Sequence, residues 1–209
     1  MSKICGLSTP EAVAAAVDGG AAFIGFMQFA ASPRHISLES AAALARPARS
    51  RTAIVSVSVD PDDALLDRIV AILAPDYLQL HGAETPARVA QIAARTGRPV
   101  IKVLGVSSAA DLDAAKAYEG AAHLMFEPKP PPHSDRPGGH GRAMAFEMMA
   151  GRSFPRPWFL AGGLTPWNVA EAVTVSGAPM VDVSSGVERG AGLKDPALIR
   201  AFLSAVETL

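Results

Sequence analysis

Cys5, Arg34, His81, Glu127 and Asp182 are the side chains of this sequence best placed to do chemistry, because each ends, follows or interrupts a short apolar run. A thiol at the end of KIC, followed by Gly6, would serve as base or nucleophile if nearby positive charge lowered its pKa. The alternative for a lone cysteine is a small buried hydrophobe. Glu127 stands at the mouth of a proline-rich stretch. It would donate a proton if partial burial raised its pKa, or it is a solvated loop acid pairing with Lys129. Arg34, in ASPRH, carries a fork suited to a carboxylate or phosphate, unless it is simply solvated. His81, in QLHG, would touch substrate, orient a partner, or be structural. Asp182 interrupts the apolar VDV, where a carboxylate needs a partner to be buried.

Two glycine- and serine-rich turns complete this set. FLAGGLTP contains Gly162 and Gly163, where the absence of a Cβ lets backbone approach a ligand. VDVSSG offers Ser184, Ser185 and Gly186, with backbone N–H groups and two hydroxyls. Free amides at a strand-to-helix junction form an anion site. Two such turns one βα unit apart match the phosphate grip of a (β/α)₈ barrel, after strands seven and eight. No metal constellation is present: the five histidines, at 35, 81, 123, 133 and 140, show no spaced pair and no thiolate cluster.

The elements that must position these groups repeat a simple rhythm: a short apolar run, a turn, then an alanine-rich helix. Strands are predicted at Lys3–Cys5, Ala22–Phe26, Thr52–Val57, Tyr77–Leu80, Val100–Val103, His123–Phe126, Trp158–Leu160 and Met180–Val183. They are apolar on both faces, as buried parallel strands are. Helices are predicted near 9–18, 37–46, 62–73, 86–95, 108–117, 144–150, 166–176 and 195–207. Thr9-Pro10-Glu11 and Thr165-Pro166 read as caps, and Pro61-Asp62-Asp63 and Thr85-Pro86 open two more helices. Right-handed crossovers leave an open doubly wound sheet or a closed barrel. No G-x-G-x-x-G follows the first strand. The element count favours a parallel eight-stranded TIM barrel, one domain over residues 1–209. Residues 127–142 hold five prolines and three glycines, too many for a helix or a central strand.

At 209 residues with 19 basic and 20 acidic side chains, the balance gives no electrostatic reason to expect nucleic acid or an anionic membrane as partner. No apolar run approaches the roughly 20 residues of a membrane span, and the first residues lack a secretory h-region. One cysteine excludes an intramolecular disulfide and fits a cytoplasmic setting.

In this order, KICGLS at 3–8, GF and SPRHIS within 25–37, QLHG at 79–82, LAGGLTPWNV at 160–169 and VDVSSGVE at 181–188 resemble the phosphoribosylanthranilate isomerase family over essentially the whole chain. The resemblance implies an Amadori rearrangement in tryptophan biosynthesis, without cofactor, on a phosphoribosyl small molecule, by a monomer or homodimer. It implies Cys5 as general base and Glu127 as general acid, although the family acid is an aspartate. Arg34, His81 and Asp182 are implied to bind substrate. Gly139, Gly141, Gly162, Gly163, Ser184, Ser185 and Gly186 are implied to hold its phosphate. Gln28 stands where an aromatic or apolar residue is common. Two alternatives remain at this stage: an isomerase of an aminoimidazole ribotide, or a phosphate-binding barrel with altered substrate or lost catalysis.

Overall fold

The computed structural model describes residues 1–129 and 146–209. Eight parallel strands close into a barrel in sequence order: β1 (Ser2–Cys5), β2 (Phe23–Met27), β3 (Ala53–Ser58), β4 (Tyr77–Leu80), β5 (Val100–Val106), β6 (His123–Pro128), β7 (Trp158–Leu160) and β8 (Met180–Val183). Closure comes from β1 pairing with β8, with Lys3 opposite Asp182. All eight predicted strands are present. Several run further at the C-terminal end, so Glu127 and Pro128 belong to β6 rather than to a loop.

The helices are α1 (Pro10–Asp18), α2 (Leu38–Ala45), α3 (Asp63–Arg68), α4 (Pro86–Thr96), α5 (Ala109–Asp113), α6 (Val169–Ser176) and α7 (Pro196–Glu207). A π turn at Ile69–Leu73 extends α3, and a 3₁₀ turn at Ala114–Ala117 extends α5. Thr9, Asp62 and Thr85 cap their helices by accepting from the backbone N–H of Ala12, Leu65 and Arg88. Thr165-Pro166 does not open α6. Asn168 Oδ1 accepts from Thr165 N at 2.7 Å, forming a turn that delays the helix to Val169. In place of the expected helix near 144–150 there is a 3₁₀ turn at Phe146–Met149, with 144 and 145 outside the described residues. A short hairpin, β9 (Glu188–Gly190) with β10 (Leu193–Lys194), follows β8 and was not predicted.

Side chains alternate along each strand. One set (Ile4, Ile24, Ile54, Leu78, Val100, Leu124) packs outward with the helices. The other fills the barrel: Cys5, Val55, Val57, Ile101, Val103, Met125, Phe159, Ala161 and Met180. At the strands' N-terminal end, Phe23, Tyr77, His123 and Phe159 meet edge to face or tilted, with centroids 5.4–6.2 Å apart. Burial pushes His123 below the usual histidine range, as suits a neutral ring in an apolar plug. The interior is therefore filled at that end, and the polar inward residues gather at the other.

Candidate active site

The C-terminal mouth collects three charged groupings. The first is built on β1, where the two-residue strand period puts Lys3 and Cys5 on the same inward face. Lys3 Nζ donates to Asp182 Oδ1 at 2.7 Å, both side chains nearly sealed from water. The partner that a buried aspartate requires is thus the lysine opposite it in the ladder. Gly25 is the β2 residue that faces Cys5. A Cβ there would lie 3.2 Å from both Cys5 Sγ and Lys3 Nζ, so the glycine leaves the space those two atoms share. Burial pulls the Lys3 ammonium down, but the Asp182 carboxylate and the Cys5 sulfur hold it above the usual range. Burial pushes the Cys5 thiol up, with Lys3 and Lys194 pulling the other way. At rest Cys5 is therefore a thiol beside a fixed cation.

The second grouping joins the ends of β4 and β6. His81 Nε2 and Glu127 Oε1 are 2.6 Å apart, with little of either side chain exposed. Burial lowers the imidazole pKa, but the Glu127 charge outweighs it and raises His81 above its ordinary value. Asp182 and Lys3 also act on His81, which places it within reach of the first grouping. Two expectations are corrected here. Glu127 is not a solvated loop acid, and Lys129 pairs with Asp111 rather than with it. Lys102 and Glu84, buried and 2.6 Å apart, brace the turn after His81 from outside, with Lys102 also donating to the Gly82 carbonyl at 2.7 Å.

The third grouping centres on Arg34, which is buried and paired rather than solvated. Its Nε donates to Glu188 Oε1 at 2.7 Å and its Nη2 to Glu188 Oε2 at 2.9 Å. Its stem lies against Gly6, where φ is +76° and a Cβ would sit 2.7 Å from Arg34 Cδ. Lys194 Nζ donates to Glu188 Oε1 at 2.6 Å and to the Ser184 carbonyl at 2.8 Å. Two cations face one anion, so the cluster carries an uncompensated positive charge that favours an incoming anion. Burial brings Lys194 down to about 8, while Glu188 raises it in part. Anion affinity should therefore fall as pH rises through about 8, where Lys194 loses its proton and the excess charge disappears. Competitive binding of a carboxylated ligand from pH 7 to 9 checks this; a flat profile would contradict it.

The two glycine turns meet each other. Gly162 and Gly163 have φ of +84° and +71°. Among the described residues, their N–H groups carry no hydrogen bond to a protein acceptor. Gly162 also lies under the end of β6, with Pro128 Cδ only 2.2 Å from where its Cβ would be. Ser184 Oγ donates to the Cys5 carbonyl at 3.2 Å, tying the β8 turn to the end of β1. Gly186 faces the Leu164 carbonyl so closely that a Cβ would approach its oxygen to 1.8 Å. Backbone on both sides leaves no room to yield. Gly186→Ala should cost about 3 kcal/mol in chemical denaturation and weaken inorganic phosphate binding; an unchanged midpoint would show that the turns are not interlocked.

The structure thus brings Cys5, Asp182, His81 and Glu127 together at one end of the barrel, with Arg34, Gly162, Gly163, Ser184, Ser185 and Gly186 around them. Gly139, Gly141, His133 and His140 lie outside the described residues. Among the described residues, no group of three or more His, Cys, Asp or Glu is placed to hold a metal ion, and no helix is long and apolar enough to cross a membrane. Sequence reasoning missed Lys3, Gly25, Glu188 and Lys194. For Lys3 a signal existed: a lysine two residues before Cys5 in an otherwise apolar run shares its face.

The family model for N-(5'phosphoribosyl)anthranilate (PRA) isomerase matches residues 2–205. The N-(5'-phosphoribosyl)anthranilate isomerase of Caulobacter vibrioides is 60% identical over 208 residues, covering 99% of this chain and 95% of that protein. The crystal structure of the phosphoribosyl anthranilate isomerase of Thermotoga maritima superposes with a TM-score of 0.89 at 31% identity, covering 100% of this chain and 98% of the other. Another structure of such an isomerase, in complex with reduced 1-(o-carboxyphenylamino)-1-deoxyribulose 5-phosphate, gives 0.84 at 29% identity, with 100% and 98% covered.

Proposed function

The chain belongs to the N-(5'-phosphoribosyl)anthranilate isomerase family, and we propose that it catalyses that family's Amadori rearrangement in tryptophan biosynthesis, with Cys5 as general base and Glu127 as general acid. The substrate is N-(5'-phosphoribosyl)anthranilate and the product 1-(2-carboxyphenylamino)-1-deoxyribulose 5-phosphate. The observation that carries this reading is the pairing of opposite chemistries at one mouth: a thiol beside a fixed ammonium, and a carboxyl 2.6 Å from a histidine nitrogen.

Each step has a group to perform it. The His81–Glu127 pair holds one transferable proton across its 2.6 Å contact. His81, whose pKa stands above its ordinary value because the Glu127 charge outweighs burial, passes that proton to Glu127, which delivers it to the ribose ring oxygen. The bond from C1′ to that oxygen breaks as the anthranilate nitrogen lone pair forms a C1′=N iminium. The iminium is the electron sink, so the chemistry needs no metal or cofactor. Its positive charge adds to those of Lys3 and Lys194 and drives Cys5 to release its proton to water and become the thiolate. The thiolate takes the C2′ proton, the C–H electrons form C1′=C2′, and the C=N π electrons return to nitrogen. The enolamine then gains a proton at C1′ from the Cys5 thiol and loses one from the C2′ hydroxyl to the His81–Glu127 pair, leaving the ketone and restoring the pair. Acid and base act at neighbouring positions of one substrate, which requires them to face each other across the mouth.

At the substrate's ends, Arg34 takes the anthranilate carboxylate and the turns at Gly162, Gly163, Ser184, Ser185 and Gly186 take the phosphate. Asp182 holds Lys3 against the base. The substrate implies a single small molecule as partner. Incubating purified protein with N-(5'-phosphoribosyl)anthranilate tests the reading. The substrate's fluorescence should decay at a rate proportional to enzyme, and an aminoimidazole ribotide run alongside should be unchanged. No decay with the first substrate, or turnover only of the second, would refute it.

A further inference from the structure

Arg34 is assigned a role in substrate binding above, but Glu188, which holds it, and Lys194, which holds Glu188, are not. Glu188 grips the side-on edge of the guanidinium through both carboxylate oxygens. A guanidinium has five N–H donors. Two are spent on Glu188, and of the rest the Nη1 and Nη2 pair forms an end-on fork. Arg34's own loop contributes little, a contact from its backbone N–H to Ser32 Oγ at 3.2 Å. The plane of the fork is therefore set by Glu188, from the hairpin after β8.

Glu188 is itself held on both oxygens. Lys194 Nζ reaches Oε1 at 2.6 Å, and the Gly192 N–H reaches Oε2 at 3.2 Å. Gly192 has φ of +79° and sits against the Pro33 carbonyl, which docks the hairpin onto the loop carrying Arg34. Lys194 also donates to Ser184 O and Oγ, at 2.8 and 3.1 Å. A continuous run of contacts thus leads from the β8 turn through Lys194 and Glu188 to Arg34. If Glu188 served only to neutralise Arg34, a second buried cation on the same oxygen would defeat the purpose.

We propose that Glu188 is a positioning residue that presents the end-on fork of Arg34 to the ring carboxylate of the substrate, with Lys194 anchoring Glu188, and so makes the site selective for carboxylated anilines. This rests on the reading of Arg34 as the carboxylate site. The substrate carboxylate completes a four-member cluster of two cations and two anions.

The test compares two ligands: reduced 1-(o-carboxyphenylamino)-1-deoxyribulose 5-phosphate, and the same molecule without its ring carboxylate. Wild type should prefer the first by about 100-fold, as befits a bidentate charge-assisted contact. Glu188→Gln keeps the shape but offers one acceptor where two are needed. It should erase about tenfold of that preference while leaving the carboxylate-free ligand within about twofold. In an Arg34→Met background, adding Glu188→Gln should change neither affinity by more than about twofold, because Glu188 acts through Arg34. Equal weakening of both ligands, or additive losses in the double variant, would overturn the proposal. If wild type itself shows no preference, the reading of Arg34 fails and takes this inference with it. If the preference exists but survives Glu188→Gln, only the inference fails. Should Glu188→Gln not fold, Glu188→Asp applies the same criteria: its charge is kept but drawn back, and the preference should fall to an intermediate value.

Discussion

Replacing Cys5 with alanine should lower turnover of N-(5'-phosphoribosyl)anthranilate by about 10⁴-fold, the upper range for loss of a positioned base, while the reduced product analogue binds within about threefold of wild type. No neighbour can take over the proton. Lys3 is an ammonium locked on Asp182 and held above the usual range, so it has no lone pair to offer near neutral pH. Asp182 is spent on Lys3. Cys5→Ser should fail nearly as badly, since a buried hydroxyl ionises far less readily than a thiol. Steady-state rates beside ligand titrations separate chemistry from binding. A Cys5→Ala enzyme within tenfold of wild type would show that another group removes the C2′ proton.

Glu127→Gln should lower kcat by about 10³-fold with KM little changed. The amide oxygen can still accept from His81, so the local packing survives, but no proton can be relayed to the ring oxygen. Glu127→Asp is the sharper case, because it restores the residue type usual in the family. Here the carboxylate is built to meet His81 at 2.6 Å. Shortening the side chain by one methylene retracts it by more than about 1 Å, and a misplacement of that size costs on the order of 10²-fold. The expected order is Glu, then Asp, then Gln. A faster Asp variant would mean that His81 does not supply the proton and that the longer side chain is a handicap. A Gln variant within threefold would remove Glu127 from the chemistry.

These expectations rest on features of unequal legibility in the sequence. All eight strands could be read because parallel strands covered on both faces are short apolar runs, and each broke off in turn residues. Helix starts were legible where Thr or Asp was followed by an amide it could cap, as at Thr9, Asp62 and Thr85. Thr165-Pro166 looked the same but lost to Asn168, whose side chain folds back on Thr165. Cys5, Arg34, His81 and Asp182 stood out because a polar group beside an apolar run is unusual. Their partners did not, because pairing in a closed barrel is nonlocal. Lys3 meets a residue 179 positions away and Arg34 one 154 away. Read locally, Glu188 and Lys194 are surface charges; only the hairpin after β8 turns them inward. Glu127 was open between a proton donor and a solvated loop acid because prolines follow it; β6 continues through Pro128 and buries it against His81.

One structure tests the account most directly: the enzyme crystallised with reduced 1-(o-carboxyphenylamino)-1-deoxyribulose 5-phosphate. The account predicts a single orientation. The phosphate lies on Gly162, Gly163 and the 184–186 turn, the ring carboxylate on the end-on fork of Arg34, and Cys5 Sγ within about 4 Å of C2′. Glu127 reaches the oxygen released from the ring, within about 3 Å or through one water. A ligand bound in reverse, a carboxylate away from Arg34, or C2′ and the released oxygen both out of reach of Cys5 and Glu127 would contradict it.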